Sequence, residues 1–125
     1  MTGSLTYAEW KVMEALWGKE PQTLSEVIAS MGDTMDWSYT TYSSYLRKLC
    51  EKGFVGFEAR GRDKFYYALV EEKQCIRVES RNILKKIGKG SKKALLVNMI
   101  EEGGLSPEDH ADLQKLLDKL SKGSE

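Results

Sequence analysis

Apolar residues recur at helical spacing in the first third of the chain, and each stretch has its own start and stop signal. The first stretch begins at Thr6, with Glu9 three residues later, and ends at Gly18. The second begins at Thr23, also followed by a glutamate after three residues, and ends at Gly32. A threonine and a glutamate at this spacing can cap a helix reciprocally, and glycine favours helix C-termini. The pattern therefore predicts two short helices.

A third helical stretch follows, with two different faces. Apolar side chains recur at i, i+3, i+4 and i+7, namely at Tyr42, Tyr45, Leu46 and Leu49. Ser38 stands at the expected N-cap, and Gly53 at the expected end. The opposite face carries hydrogen-bonding or basic side chains, with no acid among them: Tyr39, Thr40, Ser43, Ser44 and Arg47.

Two runs of aromatic and β-branched residues come next, at 54–57 and 65–69. Such side chains favour strands, so the runs predict a β-hairpin. The predicted loop has Gly61 for the turn and three basic residues, Arg60, Arg62 and Lys64. Three helices followed by a hairpin with a basic tip are typical of a winged helix-turn-helix. In that fold one helix enters the major groove of DNA and the hairpin contacts phosphates.

A simpler interpretation exists, because hydroxyl-rich helix faces and basic hairpin tips are often only solvated. The charge distribution favours DNA, although the total net charge is zero. Residues 1–37 hold two basic and six acidic residues, whereas residues 38–67 hold six basic and three acidic ones. A second basic cluster, from Arg81 to Lys93, contains six basic residues and no acid. Local charge determines how many counterions DNA releases on binding.

After residue 70 the chain consists of charged helical stretches separated by glycines, at 71–87, at 91–102 and from Ser106 onward. Short amphipathic helices cannot bury their apolar faces alone, so these stretches predict a homodimerisation region. The alternative is that they pack back onto the N-terminal region of a monomer. The apolar residues at helical spacing are Ile83, Leu84, Ile87, Leu95, Leu96, Met99, Ile100, Leu113, Leu116, Leu117 and Leu120.

The predicted architecture is mainly α with a small β-hairpin. An N-terminal winged-helix DNA-binding domain is expected at residues 1–70 and a helical dimerisation region at residues 71–125. No apolar run approaches the ~20 residues of a membrane span, and the N-terminus lacks the features of a signal peptide. A cytoplasmic protein without membrane insertion is expected. Cys50 and Cys75 lack metal-binding spacing and are expected to be reduced thiols, packed as small apolar side chains.

Nothing in the sequence predicts an active site. His110 is the single histidine, and the chain has neither a glycine-rich phosphate-binding motif nor an H-x-x-x-H pair. The carboxylates are scattered without a pattern that would separate their pKa values. We therefore expect a protein that is not an enzyme and uses no cofactor or metal.

Four segments in order carry a resemblance to a known family: LTYAEWKVMEALW, WSYTTYSSYLRKLCEKGFV, the R-G-R tip with KFYYALV, and ALLVNMIEEGGLS. Together they resemble the penicillinase-repressor family, the BlaI, MecI and CopY regulators. The resemblance implies a homodimer that binds a palindromic operator through an N-terminal winged helix and represses transcription. The residues that it places at the DNA are Thr40, Thr41, Ser44, Arg47, Arg60, Arg62 and Lys64.

Three positions refine what the resemblance implies. Lys48 stands where the family usually has an arginine, so the sequence preference is expected to differ. Copper-responsive members carry C-terminal C-x-C motifs, whereas this chain has no cysteine after Cys75. The β-lactam-responsive members are cleaved at an asparagine, which corresponds here to the Asn98–Met99 bond. A membrane-bound sensor protease is the implied partner.

Two alternatives to this function remain open at the level of sequence. One is a winged-helix module that docks another protein through its charged face. The other is a repressor of the same fold that is controlled by an unidentified small molecule or metal.

Overall fold

The computed structural model describes residues 3–123, which form six helices and one two-stranded antiparallel sheet. The elements are α1 (Tyr7–Leu16), α2 (Leu24–Met31), α3 (Tyr39–Lys52), β1 (Val55–Arg60), β2 (Asp63–Ala68), α4 (Glu72–Lys86), a 3₁₀ turn (Lys89–Ser91), α5 (Lys92–Glu102) and α6 (Pro107–Gly123). The predicted fold class, mainly helical with a winged-helix hairpin, is confirmed. No helix within residues 3–123 has the length and apolar character needed to cross a membrane.

The chain divides into two compact units, of which the first ends at Ile83 and the second begins at Leu84. The first unit thus includes residues 72–83 of α4, which the predicted division assigned to the C-terminal region. Whether the dimerisation region begins at residue 71 stays a prediction. The outermost residues of the predicted domains, 1–2 and 124–125, lie outside the described part of the chain.

The helix starts of the first unit match their local sequence signals. The Thr6 hydroxyl accepts a hydrogen bond from the Glu9 backbone N–H at 3.2 Å, and Glu9 Oε1 accepts one from the Thr6 N–H at 2.9 Å. The same reciprocal cap begins α2 at Thr23. Ser38 caps α3, and Gly53 ends it with a φ of 85°, a conformation that glycine adopts without strain.

A core built from α1, α2, α3 and β1 holds the first unit together. The apolar face of α3 supplies Tyr42, Leu46 and Leu49 to this core, as predicted. Tyr45 lies at its edge, where its ring stacks on Trp37 with centroids 4.4 Å apart. Because the apolar face of α3 is buried, the polar face is directed to solvent. The buried core residues are Val12, Met13, Ala15, Leu16, Val27, Met31, Tyr42, Leu46, Leu49, Phe54, Val55 and Cys75.

Buried Gln22 joins three elements of the first unit, a feature that the sequence analysis missed. Its backbone N–H donates to Tyr66 O at 2.9 Å and its carbonyl accepts from the Tyr66 N–H at 2.6 Å. Its side-chain Nε2 donates to Ala15 O at 2.7 Å, and its Oε1 accepts from Ser30 Oγ at 2.8 Å. Gln22 therefore fixes the hairpin against the ends of α1 and α2.

The hairpin, which we call the wing (residues 55–68), is longer than predicted. Arg60 pairs with Asp63, so only Gly61 and Arg62 form the turn. Gly61 has a φ of 63° and Arg62 a negative one, as in the type II′ turns that suit the twist of a hairpin. The prediction that Arg60 and Lys64 lie in a loop was wrong, because backbone pairing extends both strands to the turn.

Residues 69–83 also belong to the first unit. The Trp17 indole N–H donates to Val70 O at 3.0 Å, and Cys75 of α4 is buried in the core. Cys50 is half-buried against the same core. Burial raises the pKa of both thiols, so they are neutral and pack as apolar side chains, as predicted.

The second unit contains well-formed helices, but none of its side chains between residues 84 and 123 is buried. Ser106 and Asp109 cap α6 reciprocally, with N–H to oxygen distances of 3.0 and 3.1 Å. No described residue of α5 or α6 is buried. Leu96 and Leu117 are 53% and 57% exposed. The described part of this unit consequently has secondary structure without a buried core.

Candidate nucleic-acid interface

The polar face of α3 is open to solvent. Its exposed members are Tyr39, Thr40, Ser43, Arg47 and Lys48, and its half-buried members are Thr41 and Ser44. The first turn of α3 carries no acid. Hydroxyl and cationic side chains on one helix can donate to phosphate oxygens and to base edges. The acid on this face is exposed Glu51, one turn beyond Arg47.

Side chains on this face differ in whether other residues of the chain already contact them. Thr41 Oγ1 lies 3.0 Å from Ser38 Oγ, so its hydroxyl takes part in the helix cap. Lys48 Nζ lies 5.7 Å from the centroid of the Tyr45 ring, which holds the lysine beside the stacked aromatic pair. Arg47 forms no hydrogen bond or ion pair with any residue between 3 and 123. Arg47 is therefore the cation of α3 with the greatest freedom to bind an anion.

The basic residues of the wing also differ from one another. Arg60 Nε lies 3.0 Å from Glu58 Oε1, and the Arg60 guanidinium lies 4.4 Å from the Phe65 ring centroid. Lys64 Nζ lies 4.5 Å from the Phe57 centroid. Arg62, at the turn, has no ion-pair partner among the described residues. The sequence did not indicate that Glu58 partly neutralises Arg60 and leaves Arg62 as the freest cation of the wing.

An open groove brings the start of α3 together with the wing. Its lining comes from the beginning of α2, the first residue of α3 and the wing: Thr23, Leu24, Ser25, Tyr39, Arg62, Asp63, Lys64 and Tyr66. The structure thus places three predicted site residues, Tyr39, Arg62 and Lys64, around one surface. Exposed Ser25 was not predicted from the sequence, although the capping signal at Thr23 marks a helix start whose N–H groups suit an anion.

An ion pair between a buried carboxylate and an exposed lysine positions α3 from behind. Glu9 Oε2 accepts from Lys52 Nζ at 2.7 Å, which ties the start of α1 to the last turn of α3. Burial alone would raise the pKa of Glu9, but the hydrogen bonds from Lys52 and from the Thr6 N–H outweigh it and hold the pKa below its ordinary value. The Tyr42 hydroxyl donates to Met35 O at 3.0 Å and anchors the other end of the helix.

The residues predicted for dimerisation and cleavage lie mostly in the second unit. Asn98 is exposed within α5, next to Met99, which is 46% exposed. Six of the predicted dimerisation residues are half-buried, namely Ile83, Leu84, Ile87, Leu95, Ile100 and Leu113, and five are exposed, namely Leu96, Met99, Leu116, Leu117 and Leu120.

Among residues 3–123, no group of three or more His, Cys, Asp or Glu side chains could hold a metal ion.

Solved structures of a DNA-binding protein and of a transcriptional regulator have a similar fold. The structure of BpsR from Bordetella bronchiseptica matches with a TM-score of 0.50 and 18% identity, covering 94% of this chain and 80% of that one. The structure of the transcriptional regulator SlyA matches with a TM-score of 0.50 and 17% identity, covering 97% and 77%. At this level of identity the likeness shows the winged-helix fold alone.

Sequence relatives are more specific. The methicillin resistance regulatory protein MecI of Staphylococcus aureus strain N315 is 30% identical over 118 residues, which cover 94% of this chain and 96% of that protein. The penicillinase repressor of Bacillus licheniformis is 29% identical over 112 residues, covering 90% and 88%. Residues 5–119 match the family model described as penicillinase repressor. Members of that family are DNA-binding transcriptional repressors and not enzymes, which confirms both predictions. The chain belongs to the penicillinase repressor family.

Proposed function

We propose that this repressor acts as a homodimer on a palindromic operator, with one α3 and one wing at each half-site. The observation that supports the DNA face most strongly is its charge. The polar face of α3 has no acid between Tyr39 and Arg47, and the freest cation of the wing, Arg62, lies in the same groove as Tyr39. A polyanion would meet hydrogen-bond donors along most of this surface; the acids beside it are Asp63, which lines the groove, and Glu51 near the end of α3.

Within this proposal the residues have two kinds of role. Thr40 and Ser44 lie one helical turn apart, and together with Arg47 they contact base edges in the major groove. Phosphates are bound by the remaining hydroxyl and basic side chains, which position the helix without recognising sequence. These residues are Tyr39, Thr41, Ser43, Lys48, Arg60, Arg62 and Lys64.

The second unit is proposed to be the dimer contact. Leu96, Met99, Leu116 and Leu117 are each at least 46% exposed. Burying a leucine or methionine side chain fully contributes about 1.5–3 kcal/mol, so covering several of them with the same surface of a second copy is strongly favourable. A symmetric pairing of this kind is the commonest oligomer among soluble proteins.

Dimerisation links the second unit to operator specificity. A single winged helix has a small interface, and phosphate contacts alone give mainly non-specific affinity. Two copies at a fixed separation contact half-sites about one or two helical turns apart, and the second copy binds at a high effective concentration. A palindromic operator follows from the two-fold symmetry of such a dimer.

Relief of repression is proposed to follow cleavage of the Asn98–Met99 bond by a membrane-bound sensor protease. Asn98 lies inside α5, between exposed Val97 and exposed Met99. A protease needs an extended substrate, and a helix with no buried residue unwinds at low cost. A cut at this bond separates α6 from α4 and leaves the first unit intact. Repression would then end through loss of the dimer.

A selection from random DNA sequences tests this proposal without knowledge of the operator. Wild-type protein should enrich an inverted repeat with half-sites about one or two helical turns apart. The Thr40→Ala variant should enrich a repeat that differs at individual base pairs, and Arg62→Ala should enrich the wild-type repeat with weaker binding. Enrichment of an asymmetric sequence would exclude the symmetric dimer, and an unchanged preference in Thr40→Ala would show that Thr40 contacts only the backbone.

A further inference from the structure

The cations between residue 81 and residue 93, a stretch that we call the basic segment, have no role in the function described so far. Its basic residues are Arg81, Lys85, Lys86, Lys89, Lys92 and Lys93, and it contains no acid. All six side chains are exposed. None of them forms an ion pair with any residue that the structure describes. The fold therefore leaves six neighbouring cations unneutralised.

The helix dipoles explain the positions of only some of these cations. Lys85 and Lys86 lie in the last turn of α4, where positive charge is favourable. Lys92 and Lys93 lie in the first turn of α5, where each opposes the helix dipole at a cost of about 0.3–1 kcal/mol. No side chain caps α5 either. Positive charge is thus retained at a helix start where it is unfavourable for local stability.

The start of α5 differs from most other helix starts of this protein in having no acid. Among the described helices, α1, α2, α4 and α6 each carry an acid in the first turn. The two that carry none are α3 and α5. For α3 the absence fits an interface with DNA. Residues that lower local helix stability are often retained where a function requires them. The start of α5, which has two lysines and no acid, is therefore also suited to bind a polyanion.

We propose that the basic segment is a second phosphate-binding surface, which contacts the DNA backbone at phosphates other than those bound by α3 and the wing. The proposal uses the DNA binding that defines the family, and it requires neither the palindrome nor the proteolysis. Its contribution is sequence-independent affinity and a steeper dependence on salt.

Composition favours DNA backbone over a protein partner. Five of the six cations are lysines. A lysine acts as a mobile point charge on a phosphate, whereas arginine predominates where planar, bidentate recognition is needed. Protein surfaces mix both signs of charge, so a segment without any acid is better matched to a uniform polyanion. The competing partner is a second copy of the chain, whose Glu101, Glu102 and Asp112 are also exposed.

The experiment compares two full-length variants that each lose four positive charges. The test variant carries Lys85→Gln, Lys89→Gln, Lys92→Gln and Lys93→Gln, which leaves the apolar residues of the segment unchanged. The control variant carries the same substitution at four other exposed lysines, Lys19, Lys115, Lys119 and Lys122. Affinity for a 40-base-pair duplex of random sequence is measured over a series of salt concentrations, and the mass of each protein in solution is measured in parallel.

Each phosphate contact contributes about 0.9 to the slope of log affinity against log salt, so the test variant should flatten the slope by about two units or more. The control variant should keep the wild-type slope, and all three proteins should have the same mass. An unchanged slope in the test variant overturns the proposal, as does equal flattening in the control. A fall in mass of the test variant alone would assign the basic segment to the acids of a second copy.

Arg62→Ala in the same assay separates this inference from the proposed DNA face. If Arg62→Ala flattens the slope and the four-lysine variant does not, only the second surface is excluded. If the four-lysine variant flattens the slope and Arg62→Ala does not, the second surface stands and the wing is excluded.

Discussion

The leucines of the two units lie in opposite environments. Leu46 and Leu49 of α3 are 1% and 0% exposed, whereas Leu116 and Leu117 of α6 are 49% and 57% exposed. Both pairs belong to amphipathic helices with clear start signals. The comparison teaches that an apolar stripe predicts a face that must be covered, without specifying which chain covers it. In the first unit the same chain does so, and for the second we propose a second copy.

Matched leucine substitutions should give the largest difference between the units. Leu49→Ala removes a fully buried side chain and should destabilise the first unit by about 2–5 kcal/mol. Trp10, Trp17 and Trp37 are the only tryptophans of the chain and all lie in the first unit, so tryptophan fluorescence during urea denaturation reports on that unit alone.

Leu117→Ala, the matched variant, should leave the fluorescence midpoint unchanged. It should instead shift the monomer–dimer equilibrium toward monomer, and the helical circular dichroism signal should become more sensitive to protein concentration. A fluorescence midpoint that fell equally in both variants would mean that Leu117 belongs to the core of a monomer.

Gln22→Ala should have the next largest effect. Its side chain donates to Ala15 O and accepts from Ser30 Oγ in a buried site, so truncation leaves a buried carbonyl unsatisfied and should cost about 1–3 kcal/mol. DNA affinity should also fall, because the wing loses its support against α1 and α2. Gln114→Ala on exposed α6 is the control and should change the free energy of unfolding by less than about 0.5 kcal/mol. Equal effects would remove Gln22 from its positioning role.

The Glu9–Lys52 pair should make the stability of the first unit depend on pH. The pKa of Glu9 is held below its ordinary value, so its contribution is present above the unfolded pKa of about 4.3 and is lost as the pH falls through the folded pKa. Glu9→Gln keeps an acceptor for the Thr6 N–H but loses the charge pair, and should cost about 1 kcal/mol at pH 7.

Denaturation between pH 3 and pH 7 should therefore show a weaker pH dependence in Glu9→Gln than in wild type, and the stabilities of the two proteins should converge as the pH falls. Glu14→Gln removes an exposed pair with Lys11 and should leave the wild-type pH dependence in place. Identical pH profiles for wild type and Glu9→Gln would show that the Glu9–Lys52 pair does not stabilise the first unit.

Arg62→Ala should give the smallest effect, a small loss in the free energy of DNA binding. This loss should have a distinctive dependence on salt. Loss of one phosphate contact should flatten the slope of log affinity against log salt by about one unit. The effect should be equal on all DNA sequences, because a phosphate contact carries no sequence information. Lys19→Ala, at an exposed lysine between α1 and α2, is the control; an Arg62→Ala slope equal to the wild-type one would remove Arg62 from the interface.

Features decided by neighbouring residues could be predicted from the sequence. The caps at Thr6, Thr23 and Ser38 depend on contacts within three residues, and the end of α3 depends on Gly53 alone. The polar face of α3 follows from helical spacing in the same way. Such local rules fix where helices begin, where they end and which faces they present.

Contacts between distant residues could not be predicted in this way. The Gln22–Tyr66 bridge joins residues far apart in sequence, and no periodic pattern distinguishes Gln22 from a loop residue. The Lys52–Glu9 pair was missed for the same reason. The partial neutralisation of Arg60 by Glu58 depends on side-chain packing along one strand. These features determine how firmly the wing and α3 are held and which cation is free.

The most direct test of the account is a chain that ends at Asn98. It retains the first unit and lacks α6, so its tryptophan fluorescence should show the unfolding transition of the full-length protein. Its mass in solution should be that of a monomer. Its affinity for the inverted repeat selected by the full-length protein should be weaker by about tenfold or more, because the second half-site is no longer bound at a high effective concentration. A truncated chain that stayed dimeric and bound this DNA with full affinity would contradict the central claim, that the second unit holds two DNA-binding units together.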